Sequence, residues 1–427
     1  MTESPSKRIL LATFGSLGDL HPYLALAKEL KARGHRPTIA TLDRYREAVE
    51  VEGIGFSILR PLESQFGSIP EVVRRILNSR KGPEFLIRRI VMAFVRESYE
   101  DLFRAADGAD LLVSHPMTVT LPLVAEKRGL PWVSTVLSPM SFYSAHDPSV
   151  IPGAPGLHLL KWRGPYRIIL GMAKMIVRRW ERPLYDLRSE IGLPPSKNPA
   201  MFEGQFSPRL NLALFSPLMG KTQPDWPPNT RICGFARYDG RPASTDEAAD
   251  LEAFLEAGEA PIVFTLGSSV SMQPGDYFRA ALEAAQRMGR RTVLIAGATA
   301  GIVTDLPEYV RVYSYLPYSR IFPRAAVIVH TGGIGTMAQA LVAGRPMLVT
   351  PAAFDQPDNA RRAERLGLAR TLPFSKVRAK ALVKGIGILL DGRQFSDNAA
   401  GVGERVRGEN GAQCACDFLL EEGFSQK

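Results

Sequence analysis

The chain has 427 residues, 45% of them hydrophobic and 22% charged, enough for two or three domains with sizeable cores. It contains no run of about 18 uninterrupted apolar residues, no secretory pattern in the polar Met1–Arg8 opening, and only three cysteines, so a soluble cytoplasmic protein without disulfides is expected. A net charge of +10 suits anionic ligands or a weak peripheral membrane contact, and the lack of basic–aromatic interleaving argues against nucleic acid.

Short apolar strands alternate with helical patterns along the whole chain, which predicts an α/β fold of parallel sheets covered by helices. Arg8–Thr13 reads as a buried strand and Gly15–His21 as the loop after it. From Pro22 to Arg33, residues Tyr23, Leu26, Ala27 and Leu30 recur at helical spacing, with Pro22 in the first turn and Gly34 as the C-terminal cap. Arg36–Thr41, Leu111–Ser114 and Trp132–Leu137 continue the strand series. Two long helical segments of mixed apolar and basic character, Pro70–Ala106 and Arg163–Ile191, read as insertions that shape a substrate pocket. The Pro- and Gly-rich stretch Pro217–Ser244 is the linker candidate, and the alternation restarts at Ile262–Leu266. The expected division is a first doubly wound domain over 1–220, a linker over 221–245, a second such domain over 246–405, and a C-terminal segment, 406–427, packing back on the first.

In doubly wound sheets ligands bind beyond the C-terminal ends of the strands. The richest such end is Val327–Ala360, where His330 closes a strand. Thr331, Gly332, Gly333 and Gly335 then form a tight loop, and a helix runs from about Thr336 to Ala343. Glycines let backbone N–H groups approach a ligand, and a helix N-terminus favours anions, so a diphosphate fits. His330 could add a hydrogen bond or positive charge, or simply pack inside a tight turn. Asp355 and Gln356 follow the next strand, with polar groups suited to sugar hydroxyls; helix capping is the plainer role for Asp355. The turn carrying Ser268 and Ser269 offers further phosphate donors. In the first half, Asp19 and His21 stand in the loop after the first strand, and His115 closes the strand Leu111–Ser114 within reach of Asp19. Met140, Phe142 and Tyr143 lie just past another strand end and suit either an apolar pocket or the core.

Gly333, Gly335 and Ala338 also satisfy a dinucleotide-binding spacing, with Asp355 as the distant acid. Against that reading, a histidine ends the strand just before the loop, and the acid follows its own strand by several residues instead of ending it. The six histidines are scattered without a paired spacing, so neither metal nor cofactor is expected.

The run from about Tyr315 to Ala360, with its His–x–Gly–Gly loop, small-residue helix, glycine–x–proline strand start and DQxxNA ending, resembles the donor-binding signature of family-one glycosyltransferases. The opening GSLGDLHPYLALAKEL resembles that of the bacterial sterol-glucosyltransferase and rhamnosyltransferase subgroup, and LSPMSFYSAHDP adds to that likeness. The resemblance implies the GT-B architecture: two Rossmann-like domains facing a cleft, the acceptor on the first and the donor on the second. It also implies inverting, metal-independent transfer. By position, His330 and Ser268 resemble the phosphate contacts, Asp355 and Gln356 the sugar-holding pair, and Tyr315 the residue stacked on the base. Ala338 stands where the plant signature has glutamate, with Gln339 beside it to hold the ribose. Asp19, three residues before Pro22, occupies the catalytic slot that many members fill with histidine.

The expectation is therefore transfer of a sugar from a UDP- or dTDP-sugar to a small apolar acceptor such as a phenol, sterol or hydroxy-lipid. Asp19 is the expected base, His21 its reserve and His115 its partner. A nucleotide-sugar epimerase would need no acceptor pocket, and a non-catalytic nucleotide-sugar sensor would need no ionisable pair.

Overall fold

The computed structural model describes residues 5–78, 80–151, 156–159, 163–240, 244–268, 270–302 and 306–424. They form two compact units, Met1–Tyr238 with Asn410–Lys427, and Asp239–Glu409.

The first unit is built on seven strands: β1 (Arg8–Ala12), β2 (Arg36–Thr41), β3 (Gly55–Ile58), β4 (Leu111–Ser114), β5 (Trp132–Val136), β6 (Asn211–Ala213) and β7 (Thr230–Ile232). All pair in parallel, in the order β3-β2-β1-β4-β5-β6-β7. Ile9 to Ala12 are all buried, as befits a strand covered by helices on both faces. The strand order reverses between β1 and β4, which pair directly with Ala12 opposite Ser114. Loops leaving these two strands diverge and open a crevice at their C-terminal ends.

Helix α1 spans Leu17–Ala32 and so opens at Leu17 rather than at Pro22. Ser16 is its N-cap: its Oγ accepts the Gly18 N–H at 3.2 Å, while the Asp19 carboxylate accepts the Ser16 N–H at 2.7 Å. This reciprocal capping box satisfies donors that the helix start leaves without partners. Pro22 marks a first turn only where no cap precedes it, and here it lies inside the helix.

The second insertion forms helix α2 (Arg163–Trp180) and a shorter helix, Arg182–Glu190; the first is broken into Ile69–Ile76, Gly82–Phe85 and Val95–Ala105. The stretch expected to be a linker contributes β7 to the first sheet, and the Cys233 N–H beyond it donates to the Ala213 carbonyl at 2.9 Å. A three-residue edge strand set among prolines carries too short a period-two pattern to stand out in sequence. The last helix, Gly411–Glu421, packs on α1 with Cys416 and Leu419 fully buried.

The second unit has six parallel strands: β8 (Ile262–Thr265), β9 (Thr292–Ile295), β10 (Val310–Tyr313), β11 (Val327–His330), β12 (Met347–Val349) and β13 (Ala369–Thr371). Their order is β10-β9-β8-β11-β12-β13. The reversal falls between β8 and β11, so the Gly267–Ser268 turn and the Thr331–Gly333 loop leave adjacent strands. Helix α3 (Ile334–Ala343) follows β11, and α4 (Gln356–Arg365) follows β12. Among the described residues no helix is long and apolar enough to cross a membrane.

Candidate active site

In the first unit the segments that follow the adjacent strands β1 and β4 bring Asp19 and His115 together. One carboxylate oxygen of Asp19, Oδ2, belongs to the capping box and also accepts from Ser16 Oγ at 3.0 Å. The other, Oδ1, lies 3.3 Å from His115 Nε2, long for a hydrogen bond and within reach of one. His115 Nδ1 accepts the Met117 N–H at 3.2 Å. In the neutral ring the proton therefore sits on Nε2, facing Asp19. His115 is buried, while the Asp19 side chain keeps about a third of its surface exposed (32%). The Tyr23 ring stands edge-on to the His115 ring, and its buried hydroxyl bonds Thr135 Oγ1 at 2.5 Å. Gly15 makes room for the carboxylate: at φ 142° its missing Cβ would lie 2.3 Å from Asp19 Oδ2.

His21 lies within α1 rather than in a loop, against the Tyr238 ring. Burial lowers its pKa to about 4, so it is neutral near pH 7 and a weak proton acceptor.

Of the acceptor candidates, Phe142 is a core residue. Its ring stacks on Trp226 at 4.0 Å and on Phe206 at 5.6 Å, which favours the core over the pocket of the two readings left open by the sequence. An alternating strand end followed by aromatics does not reveal from sequence which ring turns inward. Met140 is half-buried, and Tyr143 takes a left-handed φ of 49° with its ring against Phe202. Such a conformation is costly for a non-glycine residue and clusters at functional sites.

In the second unit Thr331 Oγ1 donates to the Leu266 carbonyl at 2.7 Å, tying the loop after β11 to the turn after β8. Gly332 has φ 87°, and a Cβ there would meet Val349 Cγ1 at 2.7 Å. Gly333 is the N-cap of α3 and supplies no side-chain cap, so the first N–H groups of Ile334, Gly335 and Thr336 head the helix uncapped. Thr336 is buried, Gln339 partly exposed, and Ser268 half-buried in its turn. Ser269 lies outside the described residues. Tyr315 donates its hydroxyl to the Asp239 carbonyl at 2.8 Å.

His330 is fully buried, and burial lowers its pKa to about 3. Its Nδ1 accepts the Gly332 N–H at 3.1 Å and its Nε2 lies 3.4 Å from Met347 Sδ. Of the roles open to His330, burial disfavours the positive charge: the ring is neutral near pH 7 and holds the glycine loop through the Gly332 N–H.

Asp355 precedes α4 without a side-chain cap bond to the helix, and its Oδ2 accepts from Asn359 Nδ2 at 2.7 Å. The same Asn359 Nδ2 donates to the Gly332 carbonyl at 2.9 Å. Gln356 Oε1 accepts the N–H groups of Ala352 and Ala353, at 2.9 and 3.2 Å. Phe354, just before the pair, has a left-handed φ of 57°. Asn359 is the residue that sequence reasoning missed; it stands in the DQxxNA ending, but only the fold reveals that it joins the loop to the acid.

Comparison with known proteins accords with this geometry. Residues 9–137 match the glycosyltransferase family 28 N-terminal domain, and residues 280–415 match the erythromycin biosynthesis protein CIII-like C-terminal domain. The chain is 31% identical to O-mycaminosyltylonolide 6-deoxyallosyltransferase of Streptomyces fradiae, covering 97% of each chain. Among solved structures, the calicheamicin glycosyltransferase CalG4 aligns with a TM-score of 0.73 at 19% identity, over 98% of each chain. Glycosyltransferase VinC, solved in complex with dTDP, aligns at 0.69 and 20% identity, over 97% of this chain and 99% of that one. The protein accordingly belongs to the family-one glycosyltransferases of GT-B fold, enzymes that transfer sugars.

Proposed function

We propose that the protein moves a sugar from a thymidine or uridine diphosphate sugar to a hydroxyl of a small, largely apolar natural product, with inversion and without a metal ion. The observation that carries this reading is the Asp19 carboxylate, fixed through Oδ2 by Ser16 and approached at Oδ1 by His115. As the acceptor oxygen attacks the anomeric carbon, its proton passes to Asp19 and the bond from that carbon to the diphosphate breaks. A positioned base contributes about 10²–10⁴-fold to such a step. His115 acts as a positioning residue through its Nε2 proton, and His21 stands aside as a neutral, packed ring.

The leaving diphosphate is received by the uncapped N–H groups of Ile334, Gly335 and Thr336, with Ser268 alongside. Asp355 and Gln356 hold the sugar, Tyr315 the base and Gln339 the ribose. Met140, Tyr143 and Met117, which follows His115, line the acceptor's side. The thymidine choice is supported by the dTDP bound to VinC, and the natural-product acceptor by the relative acting on O-mycaminosyltylonolide.

The test mixes the protein with dTDP- and UDP-sugars, a panel of hydroxylated apolar compounds and, in parallel, EDTA. Acceptor-dependent release of nucleoside diphosphate is expected, unchanged by EDTA, with an inverted anomeric centre in the product. Asp19→Asn should bind donor normally and turn over at least 100-fold more slowly. Sugar interconversion without acceptor, or binding without turnover, would overturn the reading in favour of an epimerase or a sensor.

A further inference from the structure

Among the described residues, none covers the outer apolar face of helix α2. Its inner side is conventional: Tyr166 and Val177 are buried and Leu170 packs with them, at spacings of four and seven residues. A second apolar row lies outside. Ile168 is 65% exposed, Met175 63%, Ile176 49% and Met172 47%, with Ile169 beside them. Scattered surface hydrophobes need no explanation, but five on one face of one helix form a contiguous patch.

The charge around the row is one-sided. Arg163–Trp180 includes five cationic residues, Arg163, Arg167, Lys174, Arg178 and Arg179, and no acid. Lys174 is engaged by Glu203, and Arg178 by the carbonyls of Ser196 and Lys197. Arg163, Arg167 and Arg179 are exposed. The first four cations recur at spacings of four, seven and four residues, so they share the flank between the inner and outer apolar rows. Arg179 emerges on the outer row itself, one turn beyond Met175 and Ile176.

We propose that α2 docks this outer face on an anionic lipid surface, lying in the plane of the interface with Ile168, Met172, Met175 and Ile176 inserted and the arginines on the headgroups. An amphipathic helix with apolar residues on one side and cations along its flank is the chemistry that such interfaces select. The arginines attract anionic lipid, and the apolar row supplies the part of the binding that salt does not screen. The overall charge of +10 acts in the same direction. Docking of this kind does not depend on which sugar or acceptor the enzyme uses.

The experiment is co-sedimentation of the full chain with vesicles of phosphatidylcholine alone or mixed with phosphatidylglycerol, at low and high salt. Binding should require phosphatidylglycerol and weaken at high salt. The double variant Arg167→Glu, Arg179→Glu should lower it by about tenfold or more, and Ile168→Glu, Met175→Glu should abolish it. Both variants should keep the wild-type melting temperature and nucleoside diphosphate affinity, which separates lost docking from lost folding. Absence of binding to either vesicle, or binding indifferent to lipid charge and to both variants, overturns the proposal. So does a wild-type dimer in analytical ultracentrifugation that Met175→Glu converts to monomer, since the face would then belong to a second copy.

Discussion

At Gly15 a side chain too many would undo the site. Any Cβ at that φ meets the Asp19 carboxylate at 2.3 Å, so Gly15→Ala must displace either the loop or the acid. With Asp19 as the proposed base, turnover should fall about tenfold or more with donor affinity unchanged, because small misplacements of a catalytic group are costly. His115 offers a finer probe. Glutamine can still direct an N–H toward Asp19 and alanine cannot, so His115→Ala should lower kcat at constant KM and His115→Gln should recover much of it. Equal loss in both variants would leave the ring with a packing role alone. His330 makes a thermodynamic prediction. Its folded pKa is about 3, against about 6.5 when unfolded. Above pH 6.5 neither state is protonated and the residue contributes no pH dependence. Below it the unfolded chain takes up a proton that the native ring refuses, so stability falls as pH drops from about 6.5 toward 3, by at most about 1.4 kcal/mol per pH unit. Denaturant melts of His330→Gln across that window should show a shallower decline than wild type; parallel slopes would mean that the buried ring is not the source.

Elements were legible in sequence where period and punctuation agreed. Ile9 to Ala12 read as a strand because a doubly covered strand is continuously apolar, and the loop after His330 read as a tight strand–helix connection because Gly332 and Gly333 interrupt a strong strand–helix pattern. What escaped depends on partners distant in the chain. The capping box between Ser16 and Asp19 moved the start of α1, and β7 emerged only through pairing with β6. Phe142 found its place by stacking on Trp226, far along the sequence. The role of Asn359 is of the same kind, since its Nδ2 bridges the Gly332 carbonyl before α3 and the Asp355 carboxylate before α4. Removing that donor leaves a buried carbonyl without its partner, at about 1–3 kcal/mol. On the proposed donor site, Asn359→Ala should therefore lower melting and weaken nucleoside diphosphate-sugar binding about tenfold or more, while the proposed role of Asp19 in the first unit is untouched. Titration calorimetry with donor checks this, and an unchanged affinity would show that the loop holds its shape without the bridge.

The chain leaves its first unit after Tyr238, builds the second, and returns for one helix, so stability of the first unit depends on residues added last. Leu419 and Cys416 are fully buried against α1, and Arg33 Nη1 lies 2.6 Å from Asp417. Gly411 fits only because it lacks a Cβ, which would lie 2.4 Å from the Phe235 carbonyl carbon. The exposed Arg33–Asp417 pair adds little, at most about 1 kcal/mol, so the apolar contacts hold the helix. Leu419→Ala empties a buried site and should cost about 2–5 kcal/mol. That loss belongs to the first unit alone. If nucleoside diphosphate binds the second unit as proposed, it should instead stabilise that unit in proportion to the logarithm of its concentration. Calorimetry should resolve the two effects as separate movements: Leu419→Ala lowers one transition, and added dTDP raises the other. If the substitution and the ligand shift the same transition, the last helix does not act on the first unit alone and the two units do not unfold independently.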